Sequence, residues 1–144
     1  MSTMDTGHTC PSSGQTANST ARLTNCTHTD CPRYGGPGCV CRIRDLNDKF
    51  RNSLHSGIVH MTNGTAALGL ETVNAIFLAV SKFSAFTEDN DPYGEHDCAV
   101  MEVEGHKIIW KIDTYDRSRT YHSPDAADPK VTVRILTVML ASEY

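Results

Sequence analysis

Cys98-Ala-Val-Met-Glu-Val-Glu-Gly-His-Lys-Ile-Ile-Trp-Lys-Ile-Asp113 is the stretch that decides the fold. Two β-prone runs, Cys98–Glu104 and Lys107–Asp113, flank Gly105-His106, and a two-residue loop with Gly first predicts a type II′ hairpin. Pairing outward from that turn sets Val103 opposite Ile108, Met101 opposite Trp110 and Ala99 opposite Ile112, all apolar. The other face carries Glu104/Lys107, Glu102/Ile109, Val100/Lys111 and Cys98/Asp113, mostly polar. A slip of one residue would send every apolar side chain to the polar face, so the pattern specifies which face is buried. Trp110, the single tryptophan, is expected in the core.

Working outward, Ile43, Leu46, Phe50 and Leu54 fall at helical spacing on a charged segment, and Gly57 ends it. Ile58–Thr62 is short, β-prone and bounded by glycines, which predicts a strand. Leu70, Val73, Ile76, Phe77, Val80 and Phe83 mark a second, more apolar helix ending near Phe86. Downstream of the hairpin, Asp128-Pro129 supplies an N-cap and a first-turn proline, and Ile135, Leu136, Met139 and Leu140 suit the apolar face of a last helix. The β-branched run Val131–Ile135 would also fit a strand, so the helix rests on the cap. The expected class is α+β: a small antiparallel sheet, strand plus hairpin, packed against about three helices in the order α-β-α-β-β-α.

Nearly all large aliphatic side chains lie within 43–143. Residues 1–25, rich in Ser, Thr, Gly and Asn, are expected to be a disordered tail, and 26–41 form a Cys-, Gly- and Pro-dense knot of turns. Residues 42–144 form the folded domain. The start lacks the basic and apolar features of a secretory signal, and no span reaches membrane-helix length. The default compartment is therefore the cytoplasm, where cysteines act as metal ligands or free thiols before disulfides. The three N-x-Ser/Thr sites, Asn18, Asn25 and Asn63, are then coincidental.

Charge is distributed unevenly. Residues 1–54 hold six Lys/Arg against four Asp/Glu, whereas 86–128 hold eleven acids against four bases, a balance of −7 in a chain of net charge −4. An acidic surface of that kind repels phosphate and favours a cation or a basic protein partner, which argues against direct nucleic-acid binding by 86–128. A solvated face kept for solubility is the plainer alternative.

Two constellations bear on chemistry. Cys26, Cys31, Cys39 and Cys41 would supply four thiolates for a tetrahedral zinc site, although the x4, x7 and x1 spacings depart from paired C-x2-C half-sites. A Cys-rich tail without metal accounts for the same residues. Within the acidic run Glu88-Asp-Asn-Asp-Pro-Tyr-Gly-Glu-His-Asp97, Asp89–Gly94 begins like a calcium loop, but the twelfth position of that loop is Val100 where a bidentate Glu is needed. Asp, Asn, Pro and Gly also build turns through side-chain-to-backbone hydrogen bonds, and that reading is preferred. His96 suits a general base, and a metal-dependent hydrolase or nuclease would use Glu95, His96, Asp97 and Asp113. The nuclease order D…(D/E)-x-K is not met, because Lys111 precedes Asp113. Cross-strand ion pairing explains these residues more simply.

The blocks Arg42–Phe50, Phe86–Asp97, Trp110–Asp116, Ala127-Asp-Pro129 and Leu136–Tyr144 together resemble a bacterial family catalogued as domain of unknown function 3768, over about 42–144. The resemblance implies an intracellular bacterial protein, often plasmid- or phage-associated, and supplies no catalytic residues. The resulting expectation is a non-enzymatic interaction protein of a mobile element that meets a basic partner, such as a host defence nuclease. Its contact surface would comprise Asp89, Asp91, Tyr93, Glu95, His96, Asp97, Lys111, Asp113, Tyr115 and Asp116. The metal-dependent hydrolase and a zinc-stabilised binding module stand as alternatives.

Overall fold

The computed structural model describes residues 37–144. The expected tail, Cys26 and Cys31 lie outside these residues. Within them the chain runs α1 (Val40–Ser53), β1 (Ile58–Met61), α2 (Asn63–Ala66), α3 (Leu70–Lys82), β2 (Cys98–Val103), β3 (His106–Tyr115) and β4 (Val133–Leu140). Single 3-10 turns precede and follow β4, at Pro129–Val131 and Ala141–Glu143. The strands form one sheet in the order β1-β4-β3-β2, antiparallel except for the parallel β1–β4 pair. The α+β class is as expected.

Two features differ from the sequence reading. The last element is a strand and not a helix: Asp128 does cap, accepting from Lys130 N–H at 2.9 Å, but the turn it starts ends at Val131. From Val133 the β-branched alternation wins, because Arg134, Leu136 and Val138 point inward while β3 and β1 satisfy the backbone on both sides. The hairpin register is also shifted by two residues, with Val103 opposite His106, Met101 opposite Ile108 and Ala99 opposite Trp110. Glu104 and Gly105 form the loop, both with positive φ (51° and 83°), which makes the turn type I′ and not type II′. Thr72 Oγ1 donates to the Glu104 carboxylate at 2.9 Å and ties this turn to α3. A shift of two preserves every side chain's face, so the apolar partition stands.

One face of the sheet is covered. Phe50 of α1 and Ile76 and Val80 of α3 pack on Ala99, Val103, Ile108, Trp110, Ile112, Leu136 and Val138. Trp110 is fully buried, as expected. Leu54 ends α1 in the left-handed conformation (φ 60°), with its N–H on Phe50 O. Gly57 lies so close to the Arg134 carbonyl and the Phe50 ring that a Cβ there would collide with both. A smaller cluster of Cys39, Cys41, Ile43 and Ala127 secures the start of α1. At the far end, Glu143 accepts from Thr62 Oγ1 (2.5 Å), Gly64 N–H (3.1 Å) and Leu140 N–H (3.0 Å), fastening the C-terminal turn to the start of α2. Among the described residues no helix is long and apolar enough to cross a membrane.

Candidate functional site

The acidic run is built around one buried side chain. Asp91 is 3% exposed, and its carboxylate accepts the backbone N–H groups of Glu95 (3.1 Å) and His96 (3.2 Å). Asp91 N–H in turn donates to Thr87 O, and Gly94, in the left-handed region, donates to Asp91 O. The run is therefore a carboxylate-nucleated turn, consistent with its Asp-Pro-x-Gly composition. Upstream, Asn90 holds the approach by accepting from Thr87 N–H and donating to Ala85 O.

From this turn His96 reaches back to α1. Its φ is 54°, its ring stacks on Phe86 with centroids 3.8 Å apart, and Nδ1 lies 2.9 Å from an Asp48 carboxylate oxygen. Asp48 also accepts from Arg51 at 2.8 Å. Arg51 is 3% exposed and donates to Val80 O (2.7 Å) and Phe83 O (2.8 Å), carbonyls at the C-terminal end of α3. Its guanidinium lies over the rings of Phe86 and Trp110, at 5.3 and 5.0 Å from the centroids. One chain of contacts thus ties the acidic turn, α1 and the end of α3 together. Burial pushes the Asp48 carboxyl up, but hydrogen bonds from His96 and Arg51 outweigh it and hold it below the usual carboxylate range.

Glu95 faces a second group. Its carbonyl accepts from Asn47 Nδ2 at 2.9 Å, and Asn47 Oδ1 accepts from Arg134 Nε at 2.7 Å. Burial, then the charges of Asp97 and Asp91, push the Glu95 carboxyl up to about 7, against the opposing pull of Arg134. Burial likewise lowers the Arg134 guanidinium to about 10. Asp97 is raised by burial and by Asp91.

The remaining expected residues fall elsewhere. Asp97, Cys98, Lys111, Asp113 and Tyr144 line a shallow pocket of about 250 Å³. Lys111 pairs with Asp113 at 3.2 Å and stands opposite Cys98, so the ion pair runs along β3 and not across the hairpin. Burial and the nearby acids raise the Cys98 thiol, which keeps it protonated and a poor nucleophile. Asp89 and Tyr93 are exposed, Tyr93 at 71%. Tyr115 stacks on His122, and Asp116 organises its own loop, accepting from Ser118 Oγ and Thr120 N–H. Of the four expected zinc ligands, Cys39 is a buried free thiol and Cys41 is fully buried, while Cys26 and Cys31 lie outside the described residues. Among the described residues no three of His, Cys, Asp and Glu converge to hold a metal ion.

The family model described as a protein of unknown function, DUF3768, matches residues 61–143. The chain belongs to this family. The match spans β1's last residue to the C-terminal turn and so contains Asp91, His96 and Arg134, but not Asn47, Asp48 or Arg51 on α1. No curated protein and no solved structure matched the chain.

Sequence reasoning missed Asn47, Asp48, Arg51, Phe86 and Arg134. Asp48 and Arg51 offered a faint signal, as opposite charges at i, i+3 on a predicted helix. Arg134 was hidden by the helix assigned to its segment.

Proposed function

We propose that the protein is a non-catalytic binding module that presents the outer side of its acidic turn to a basic protein partner. The observation that carries this reading is how the polar groups are spent. Asp91, His96, Asp48 and Arg51 bond one another and nearby backbone, with Arg51 Nε the one buried nitrogen of the four left without a partner among the described residues, and none of the four lines the pocket beside Asp97 and Lys111. What the turn offers outward is Glu88, Asp89 and the exposed ring of Tyr93 on a pre-ordered backbone. An exposed aromatic between acids, held rigid before binding, suits recognition of a cationic surface. A nucleic-acid-binding protein of a host defence system has such a surface, and occupying its phosphate groove would block it.

The test is affinity capture from bacterial lysate with the wild-type chain and the double variant Glu88→Gln/Asp89→Asn. A captured nuclease is then assayed for DNA cleavage with and without the chain. Loss of capture in the variant and inhibition by the wild type support the reading; equal capture by both removes it.

The pocket beside Asp97, Lys111 and Asp113 supports a second reading, a hydrolase whose metal would be held by the two carboxylates alone, since no three ligands converge there among the described residues. Nucleic-acid cleavage by the purified chain with Mg²⁺ or Mn²⁺, abolished by Asp113→Asn, would support that reading instead.

A further inference from the structure

Among the described residues no strand pairs with the outer edge of the sheet, and the alternation along it is fixed by one bond. Asp97 O accepts from Ile112 N–H at 2.6 Å, in register with the β2–β3 pairing. Asp97, Ala99, Met101 and Val103 therefore bond to β3. The backbone N–H and C=O groups of Cys98, Val100 and Glu102 point away from it, because bonding alternates along an antiparallel pair. No strand lies beyond β2, which ends the order β1-β4-β3-β2 among the described residues.

Natural edges are usually blunted by Pro, Lys, a bulge or an inward charge. β2 has none of these: its six residues, Cys-Ala-Val-Met-Glu-Val, pair with β3 in unbroken register. Val100 at its centre is 52% exposed. The charges along the edge run itself are acidic: Asp97 precedes it, Glu102 lies on it, and Glu104, bonded to Thr72, follows, while Lys107 and Lys111 stand one strand further in, opposite Glu102 and Cys98.

We infer that β2 is a docking edge onto which a partner protein adds an extended basic segment as a fifth strand. Backbone groups of Cys98, Val100 and Glu102 would supply the ladder bonds, which carry affinity whatever the partner's side chains. Side chains of the incoming strand set the choice. An apolar β-branched residue fits opposite Val100, and Lys or Arg fits beside Glu102 and the flanking Asp97 and Glu104. A second copy of this chain fits less well, since it would bring the same acids to the same edge. This inference deepens the basic-partner reading above and rests on it, but it concerns a different part of the surface from Glu88 and Asp89.

The probe is a synthetic eight-residue peptide alternating Lys with Thr and Val, alongside the same peptide N-methylated at alternate amides. Binding of the first should slow hydrogen exchange at the amides of Val100 and Glu102, leaving Ala99 and Met101 as protected as before. Val100→Pro removes an N–H that bonds nothing among the described residues, so it should preserve the thermal transition while weakening the peptide by at least about tenfold. The exchange experiment on the wild-type chain decides the matter even if that variant does not fold. Failure of the peptide to protect these amides at millimolar concentration overturns the inference, as does equal binding of the N-methylated peptide. A dimer that Val100→Pro dissolves would assign the edge to a second copy and overturn it too. If lysate capture survives Val100→Pro but is lost in Glu88→Gln/Asp89→Asn, the edge is refuted while the basic-partner reading stands.

Discussion

Replacing Glu95 by Gln removes a carboxyl that the fold keeps protonated well above its ordinary range. In the unfolded chain this group ionises near 4.5, and in the folded chain near 7. Between those values the folded state holds a proton that the unfolded state has released, so stability falls as pH rises through the window. At about 1.36 kcal/mol for each pH unit, the full difference is roughly 3 kcal/mol, and partial solvent access to the group brings it nearer to about 2. Gln carries no charge, and the Glu95 contacts to Asp91 and Asn47 run through its backbone, so the substitution leaves them in place. At about pH 4 the two proteins should be equally stable. At about pH 8 the variant should be more stable by about 2 kcal/mol. Urea unfolding followed by fluorescence of Trp110 gives both numbers. Parallel stability curves for the two proteins across this range would refute the buried, acid-crowded environment assigned to Glu95.

Four further outcomes follow from the same contacts. Asp91→Ala frees two half-buried amides and should destabilise by about 1–3 kcal/mol, with exchange at the Glu95 and His96 amides rising first. Arg51→Lys gives up the forked bonds to Val80 O, Phe83 O and Asp48, and a loss of about 2–4 kcal/mol is expected in denaturant titration. Gly57→Ala forces the Phe50 ring and the β4 backbone apart and should cost about 1–3 kcal/mol, read as a lowered melting temperature. Glu104→Asn and Glu104→Ala both give up the bond from Thr72, but Asn is favoured at the left-handed first position of a type I′ turn, so the Asn variant should be the more stable of the two by about 0.5–1 kcal/mol; equal stability would point back to a turn centred on Gly105-His106.

The hairpin illustrates how far the sequence carries. Alternation of Ala99, Met101 and Val103 against Ile108, Trp110 and Ile112 fixes which face is buried, and that was legible. Alternation has a period of two, so it cannot separate two registers that differ by two residues. The choice fell to the turn, where the bond from Thr72 to Glu104 crosses from α3 and is invisible to local reading. Asp128-Pro129 misled in a related way. A cap with a first-turn proline signals that a turn begins, not how long it lasts, and the neighbouring strands decided in favour of β4.

At the acidic turn, residue types announced side-chain-to-backbone bonding, and Asp91 does that work. Composition could not reveal that His96 turns inward onto Phe86 and Asp48, because its partners lie in other segments and its own backbone is left-handed. The run consequently contributes fewer surface charges than its sequence suggests. Asp91 is buried, and Glu95 holds a proton until about neutrality. Glu88 and Asp89 carry the outward charge.

The most direct test of the binding role is the affinity of the captured partner for the wild-type chain and for Glu88→Gln/Asp89→Asn, measured by calorimetry at about 0.05 and 0.3 M salt. A pre-ordered acidic turn predicts that wild-type affinity falls with salt, that the variant binds more weakly at low salt, and that the two converge at high salt. Equal affinities at both salt concentrations, with both proteins folded, would contradict it.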